Sequence, residues 1–208
     1  MTQLTDPFSS LNEIKSMMEK SSRFLSLSGL SGVAAGLIGL AGAGFAYLEL
    51  NSQQYEAKDI PSLDGYFTSP LFCIAIVTLI ISMLVGFLFT YLKSKKLQST
   101  LWNHASRRML INLGLPLVAG GLYLLKLMDL GYISMIAPGC LLFYGLALVN
   151  ASKYTLGDIR YLGYIEIGLG AINLLLPGYG LYFWALGFGV AHILYGGYMW
   201  NKYDKKSS

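Results

Sequence analysis

The sequence predicts an all-α, polytopic membrane protein with six transmembrane helices in three hairpins, preceded by an N-terminal amphipathic helix. Of the 208 residues, 54% are hydrophobic and only 12% are charged, which is too little polar surface for a soluble globule of this size. Most of the six apolar segments approach the roughly 20 residues that a helix needs to cross about 30 Å of hydrocarbon. The bilayer is therefore the expected solvent, and no separate soluble module is expected.

The first element is an amphipathic helix. Asp6 and Pro7 are suited to the N-cap and first helical positions. Apolar residues then recur at helical spacing at Leu11, Ile14 and Met18. This helix is predicted either to rest in the cytoplasmic headgroup layer or to dock onto another protein in the cytoplasm or the membrane, and the sequence leaves both open.

The predicted domain boundaries follow the apolar segments. Residues 1–23 form a cytoplasmic amphipathic segment, residues 24–200 a single six-helix transmembrane domain, and residues 201–208 a cytoplasmic tail. The predicted spans are Phe24 to Leu50, Ser69 to Leu92, Met109 to Met128, Tyr132 to Asn150, Tyr161 to Leu176 and Leu181 to Trp200. The start does not resemble a cleavable signal peptide, because mostly polar residues precede an apolar stretch long enough to span by itself.

The first span contains two rows of small residues at intervals of four. The rows are Ser28, Gly32 and Gly36, and Ser31, Ala35, Gly39 and Ala43. Small residues let helix backbones approach closely where lipid gives no hydrophobic drive for association. We expect close packing of this helix, either within the chain or in a homo-oligomer through Gly32, Gly36 and Gly39.

The positive charges predict the orientation. Thirteen of the 15 Lys and Arg residues fall on one side of the six segments, and only Lys58 and Lys126 fall on the other. Positive residues in short loops are retained on the cytoplasmic side, so both termini are predicted to be cytoplasmic. This asymmetry also accounts for the net charge of +4, and no nucleic-acid partner is expected.

The even-numbered spans show a weak repeat near their cytoplasmic ends. The matching triplets are Leu84-Val85-Gly86, Phe143-Tyr144-Gly145 and Leu194-Tyr195-Gly196. If the similarity is a true repeat, the three hairpins are parallel copies related by an axis along the membrane normal. Chance, together with the common requirements of a span end, is the alternative.

The candidate site is a carboxyl group and an imidazole at depth in the last hairpin. Glu166 lies roughly 9 Å into the fifth span and His192 roughly 15 Å into the sixth from the same face, at 1.5 Å per residue. Ionisable groups are costly inside a membrane and usually functional, so the pair is predicted to bind a ligand or a proton; a structural hydrogen bond is the alternative. Further candidates for the lining of a polar cavity are Asn112, Asn173, Tyr164 and Tyr195.

Several classes of site lack the residues that they require. Cys73 and Cys140 lie in apolar spans without CxxC spacing, and a haem held by two histidines needs a second one at depth besides His192. Nucleotide-binding, zinc-protease and serine-hydrolase motifs are not present in the sequence. We therefore predict no catalytic residue and no metal ligand, and the sequence identifies no cofactor.

The stretch from Ser22 to Gly32, Ser-Arg-Phe-Leu-Ser-Leu-Ser-Gly-Leu-Ser-Gly, resembles a group of small uncharacterised six-span bacterial inner-membrane proteins. The resemblance is specific over that stretch and general over the remaining hairpins. It implies a multi-pass protein of the bacterial inner membrane, and no site residue follows from it.

Three functional hypotheses follow, in order of preference. The first is a small transporter or channel-type subunit with a Glu/His site in the last hairpin. The second is a membrane sensor or scaffold that engages a partner through its cytoplasmic face. The third is a membrane-embedded enzyme, which a carboxyl and histidine pair alone supports least.

Overall fold

The computed structural model describes residues 23–24, 26–52, 63–98 and 100–205. Within these ranges the chain forms helices joined by turns, with no β-strand. The predicted amphipathic helix and most of the connection between the first and second predicted spans lie outside the described residues. The all-helical fold class predicted from composition and apolar periodicity is confirmed for the part of the chain that is described.

Four helical segments are long and apolar enough to cross a membrane, and they coincide with the first four predicted spans. A short helix, α2, lies just before the second of them. The segments are α1 (Gly29–Ser52), α2 (Leu63–Thr68), α3 (Pro70–Lys96), α4 (His104–Asp129) and the run Ile133–Tyr154, which contains α5 (Ile136–Ala151) between two 3₁₀ turns.

The last two predicted spans are helical but shorter or interrupted. The helix α6 (Ile159–Leu175) has 17 residues, or about 25 Å at 1.5 Å per residue. The C-terminal helix (residues 180–204) consists of α7 (Gly180–Trp184), a π-helical segment (Ala185–Ala191), α8 (His192–Met199) and a second π-helical segment (Trp200–Asp204). Neither is an uninterrupted α-helix of spanning length, so the structure supports four of the six predicted spans.

Two helices organise the packing. The helix α1 lies between α3 and the C-terminal helix, and α5 lies between α4 and α6. The first and second predicted hairpins are therefore packed pairs. In the third, α6 packs mainly on α5 and the C-terminal helix packs mainly on α1, although the two touch around the first π-helical segment.

The small residues of α1 face the C-terminal helix. An ideal Cβ on Gly36 would lie 2.7 Å from the carbonyl oxygen of Gly189, and one on Gly32 would lie 3.1 Å from the Cα of Gly196. Gly39 similarly lies against the carbonyl of Phe188. These glycines therefore allow two backbones of the same chain to touch. A homo-oligomer through Gly32, Gly36 and Gly39 stays a prediction.

The crossing of α5 and α6 is built in the same way. A Cβ on Gly145 would lie 2.6 Å from the carbonyl oxygen of Gly163, and a Cβ on Gly163 would lie 2.7 Å from the carbonyl oxygen of Gly145. In the third copy of the repeat, an ideal Cβ on Gly196 would lie 2.7 Å from the carbonyl oxygen of Gly29. Gly145 and Gly196, at matching positions of the second and third copies, thus both allow close contact with the backbone of a neighbouring helix. Gly86, in the first copy, has no neighbouring heavy atom within 4 Å of the corresponding point.

One polar cluster joins three helices at the predicted cytoplasmic end. Asp204 accepts hydrogen bonds from the backbone N–H of Gly29 at 2.9 Å and from the hydroxyl of Ser28 at 3.1 Å. The ammonium group of Lys93 donates to Asp204 and to the carbonyl of Leu27, both at 2.6 Å. A carboxylate at the first N–H groups of a helix is favoured by the helix dipole, so Asp204 caps α1 from the other end of the chain.

A second cluster joins the C-terminal helix to the start of α6. The ammonium group of Lys202 and the hydroxyl of Tyr203 both donate to Asp158, the latter at 3.0 Å. Burial by itself raises the pKa of Asp158, but the hydrogen bonds from Lys202 and Tyr203 outweigh it, so the pKa lies below its ordinary value. The same contact raises the pKa of Lys202. The two polar clusters therefore attach the end of the C-terminal helix to the starts of α1 and α6.

Candidate functional site

The structure buries the carboxyl group of Glu166 completely. Glu166 lies near the middle of α6 and is 0% exposed, as is Leu141 of α5 beside it. On the third side lies Gly187 of the C-terminal helix, where an ideal Cβ would be 2.5 Å from Oε2 of Glu166. The carboxyl group is thus enclosed by three helices, and the absence of a side chain at Gly187 is what admits it.

His192 follows directly on the first π-helical segment and is 7% exposed. Its Nδ1 lies 2.9 Å from the carbonyl oxygen of Gly187, five residues earlier, and its Nε2 lies 2.8 Å from the hydroxyl of Tyr144. The rings of Tyr144 and His192 are stacked, with centroids 5.5 Å apart and planes 24° from parallel. The imidazole is therefore fixed in both position and rotation.

The structure brings the two predicted ionisable groups together. Nδ1 of His192 lies 3.4 Å from Oε1 of Glu166. This separation is within the range of an ion pair but longer than an ordinary hydrogen bond. Neither oxygen of Glu166 has a hydrogen-bond partner among the described residues. A buried charge needs pairing or hydrogen bonds, so the site favours either a shared proton or a ligand that supplies them.

Asn173 lies on the same face of α6, seven residues beyond Glu166, and is 2% exposed. Its amide nitrogen donates to the carbonyl of Leu176 at 3.2 Å, at the turn that ends the helix. Its amide oxygen is buried and has no partner among the described residues. Glu166 and Asn173 are therefore two buried polar groups on one face of α6 whose oxygens are free to accept, and they extend the site toward the C-terminal end of this helix.

Tyr195 lies one helical turn beyond His192 toward the C-terminus. It packs against the buried cluster of Leu148, Leu162 and Ala191. Its hydroxyl is buried and has no hydrogen-bond partner among the described residues. Tyr195 thus lies one turn from His192, and its hydroxyl makes no hydrogen bond to the Glu166 carboxyl.

Two other predicted residues do not join the site. The side chain of Asn112 donates to the carbonyl of Arg108 at 2.8 Å, and its own backbone carbonyl accepts from the amide of Asn150 at 2.9 Å, so it fastens α4 to α5. Tyr164 is 54% exposed and stacks edge-on with Tyr161. Its direction is away from Glu166, because the two positions are two residues apart on the helix.

The sequence did not single out Tyr144 or Gly187 as partners of the pair. Tyr144 precedes the repeat glycine Gly145, and Tyr195 precedes Gly196 in the same way, which signals that the two tyrosines occupy equivalent positions. Nothing in the spacing indicates which histidine a tyrosine 48 residues away will meet. The glycine pair at 187 and 189 signals irregular backbone, and the structure shows that segment to be π-helical.

Metal binding has little basis in this arrangement. Among the residues that the structure describes, no three His, Cys, Asp or Glu side chains lie close enough together to hold a metal ion. Glu166 and His192 alone supply two ligands, fewer than the usual structural or catalytic metal site.

No family model, curated protein or solved structure matches this chain. The geometry of the Glu166 and His192 site therefore carries the functional argument.

Proposed function

We propose that the protein is a six-span subunit of a small transporter or channel in a bacterial inner membrane, with both termini in the cytoplasm. Its proposed site is the buried pair Glu166 and His192, which binds a proton together with, or in exchange for, a small polar or cationic ligand. The pair is the membrane-depth ionisable site predicted from the sequence, and the four segments of spanning length make the chain compatible with a bilayer.

One observation carries the proposal: a fully buried carboxyl group lies 3.4 Å from an imidazole nitrogen and has no hydrogen-bond partner among the described residues. Placing an ionised side chain in hydrocarbon costs at least about 3 kcal/mol unless the charge is neutralised or paired. A purely structural hydrogen bond in a bilayer contributes only about 1 kcal/mol. Leaving an ionised Glu166 unpaired would therefore cost more than fastening two helices returns, which favours a site that binds a proton or a ligand.

The outer surface supports spans five and six. Leu175 near the end of α6 is 80% exposed and Leu194 of α8 is 68% exposed. Apolar side chains that point outward on both helices are compatible with lipid, and the π-helical interruption at Ala185–Ala191 occurs where neighbouring helices bury Gly187, Gly189 and Ala191. Trp102, 74% exposed in the basic connection between α3 and α4, suits the headgroup level at the cytoplasmic end.

The arrangement allows simple chemistry. When Glu166 is protonated, the pair is neutral and suited to an apolar surrounding; when Glu166 is ionised, it attracts a proton on His192 or a cationic ligand. The carboxyl oxygens of Glu166 and the amide oxygen of Asn173 have no hydrogen-bond partner among the described residues. Because these oxygens are acceptors, a ligand with N–H or O–H donors fits best. We therefore favour a protonated or hydrogen-bond-donating small molecule over an anion.

The decisive experiment compares proton movement in proteoliposomes. Protein with Glu166→Gln and matched protein with Asp129→Asn, an exposed acid paired with Lys126, are reconstituted around a pH-sensitive dye. A potassium diffusion potential set with valinomycin then drives protons inward. We expect wild type and Asp129→Asn to acidify the lumen alike and Glu166→Gln to do so at least about tenfold more slowly, the rate effect of about 1.4 kcal/mol.

The same samples are treated with dicyclohexylcarbodiimide, which modifies protonated carboxyl groups in apolar surroundings. Mass analysis should find the adduct on Glu166 in wild type and in Asp129→Asn, and none in Glu166→Gln. Equal proton flux in all three proteins, with the adduct absent from Glu166, would remove this residue from any proton-linked mechanism.

A further inference from the structure

We infer that Tyr144 is the positioning residue of this site: it fixes the tautomer of His192 so that the one ring hydrogen lies on Nδ1, where the Gly187 carbonyl and the Glu166 carboxyl compete for it. The inference deepens the proposed function and rests on it for its consequence, although the tautomer itself can be measured independently.

The tautomer follows from the partners of the two ring nitrogens. Nδ1 faces only oxygens, the Gly187 carbonyl at 2.9 Å and Oε1 of Glu166 at 3.4 Å. A carbonyl oxygen cannot donate, so Nδ1 must carry the hydrogen. A neutral imidazole has one N–H, so Nε2 accepts, and the donor to it at 2.8 Å is the hydroxyl of Tyr144.

The sequence around Tyr144 keeps its hydroxyl in place. The next residue, Gly145, lies at the close crossing with Gly163, so α5 cannot slide along α6 without a clash. The Tyr144 ring also contacts Phe188 of the π-helical segment, with centroids 5.2 Å apart. Tyr144 is thus held by backbone contact on one side and by an aromatic contact on the other.

The two acceptors differ in how they respond to a proton. The Gly187 carbonyl is a fixed neutral acceptor, whereas the Glu166 carboxyl is a weak acceptor when protonated and a strong one when ionised, because charge-assisted hydrogen bonds are shorter and stronger. Nδ1 lies 2.9 Å from the Gly187 carbonyl oxygen and 3.4 Å from Oε1 of Glu166, so the hydrogen bond in this structure goes to Gly187. Ionisation of Glu166 should therefore draw Nδ1–H away from Gly187.

The consequence lies in the backbone of the C-terminal helix. Gly187 lies inside the π-helical segment Ala185–Ala191. Gly189 of the same segment packs against Leu40 of α1. The His192 side chain bonds to the carbonyl five residues back, the same spacing as a π-helical backbone bond. Loss of that bond would release the Gly187 carbonyl, so the proton on Glu166 is coupled to the shape of this segment.

The ionisable groups that face His192 come from two neighbouring helices: Tyr144 from α5 and Glu166 from α6. On its own helix the nearest is Tyr195. The helix α1 also packs here, and residues 29–46 contain no ionisable side chain. Glu166 is therefore the only acid able to change the competition for Nδ1–H within this set.

The test uses ¹⁵N-labelled histidine and solid-state NMR in lipid. The chain has two histidines, so His104→Gln leaves His192 as the sole signal. We expect one tautomer with hydrogen on Nδ1. Tyr144→Phe should lower the Nδ1–H fraction by at least about twofold, because Nε2 loses its donor. Tyr164→Phe, which alters an exposed tyrosine on α6, should leave it unchanged.

A second measurement follows the Gly187 carbonyl by ¹³C labelling as the pH is changed. In wild type the signal should move as Glu166 ionises, and in Glu166→Gln it should stay constant. Hydrogen on Nε2 in wild type, or an unchanged tautomer in correctly folded Tyr144→Phe, would overturn the inference. If the tautomer behaves as expected while Glu166→Gln keeps full proton flux, the proposed function fails and the role of Tyr144 stands.

Discussion

At the scale of single residues, the site depends on a missing side chain. The Glu166 carboxyl occupies the space where any residue other than glycine at position 187 would place its Cβ. The neighbouring Leu141 is fully buried and cannot give way easily, since well-packed interiors resist added volume. A glycine inside a π-helical segment is thus what permits a carboxyl group, an imidazole and a backbone carbonyl to lie together.

Gly187→Ala should therefore destabilise the protein and disturb the site. The new Cβ would lie 2.5 Å from Oε2 of Glu166 and 2.5 Å from Cδ2 of Leu141. Overpacking of this kind costs about 1 to 3 kcal/mol. Gly197→Ala, in the same helix with nothing within 4 Å of its ideal Cβ, is the control and should be neutral or slightly stabilising. Thermal unfolding in detergent, read together with the His192 tautomer, gives both effects, and equal melting temperatures for the two variants would contradict the crowding.

At the scale of helices, a polar cluster at the predicted cytoplasmic end joins the start of α6 to the C-terminal helix. The two helices also meet in the middle, where Glu166 and His192 lie, and Asp158 with Lys202 and Tyr203 adds a second attachment. These groups are outside the predicted hydrocarbon region and accessible to changes of pH.

The contribution of Asp158 should therefore depend on pH. Its pKa is lowered in the folded protein, since hydrogen bonds outweigh the opposing effect of burial. A depressed carboxyl pKa adds stability that is present above the unfolded value of about 3.9 and is lost as pH falls through the folded value. Asp158→Asn should thus melt below wild type at pH 7, and the gap should shrink as the pH falls below about 4. Thermal denaturation followed by circular dichroism at pH 7 and below about pH 4 measures the difference in stability between the two proteins. A difference that does not change with pH would show that the charge of Asp158 contributes nothing.

The helices themselves were largely predictable, because apolar runs and their polar ends are local properties. The first four spans agree with the structure, and Ser69 followed by Pro70 marks the start of α3, where the Ser69 hydroxyl accepts from the backbone N–H of Phe72. The π-helical segment is not local in this sense. Its geometry depends on Glu166, Leu141 and the close approach of α1, which only the assembled fold provides.

The same contrast applies to the candidate site. Glu166 and His192 were predictable because ionisable groups at depth are rare and because both lie well inside adjacent spans, counted from the same face. Asn112 and Tyr164 were assigned from polarity alone, and helix rotation directs them elsewhere. The contact of Tyr144 with His192 was not predictable from the sequence, because the direction of this side chain depends on the crossing of α5 with α6, which is a property of packing.

At the scale of the whole molecule, the weak repeat coincides with how helices cross. The crossing of α5 on α6 places Gly145 at Gly163 and Pro138 at Gly170, and the crossing of the C-terminal helix on α1 places Gly196 at Gly29 and Gly189 at Gly36. In each case the paired contacts are seven residues apart on both helices. The second hairpin thus contacts the third, and the third contacts the first, through glycine crossings with the same seven-residue spacing. Parallel copies about an axis along the membrane normal would require this.

The first copy of the repeat, which contains Gly86, offers an internal control for a prediction about the other two copies. Gly145→Ala and Gly196→Ala each put a Cβ against backbone atoms of a neighbouring helix, and neither backbone can move aside without opening the crossing. We expect each to lower the free energy of unfolding by about 1 to 3 kcal/mol.

Gly86→Ala occupies the matching position of the repeat but has nothing within 4 Å, so it should be neutral or stabilising by up to about 1 kcal/mol, since alanine restricts the unfolded chain. Reversible unfolding in mixed micelles ranks the three variants. If Gly86→Ala proves as damaging as the other two, a partner covers that face of α3 in the membrane, and the three copies of the repeat then share one role: each glycine is a point of contact between helices.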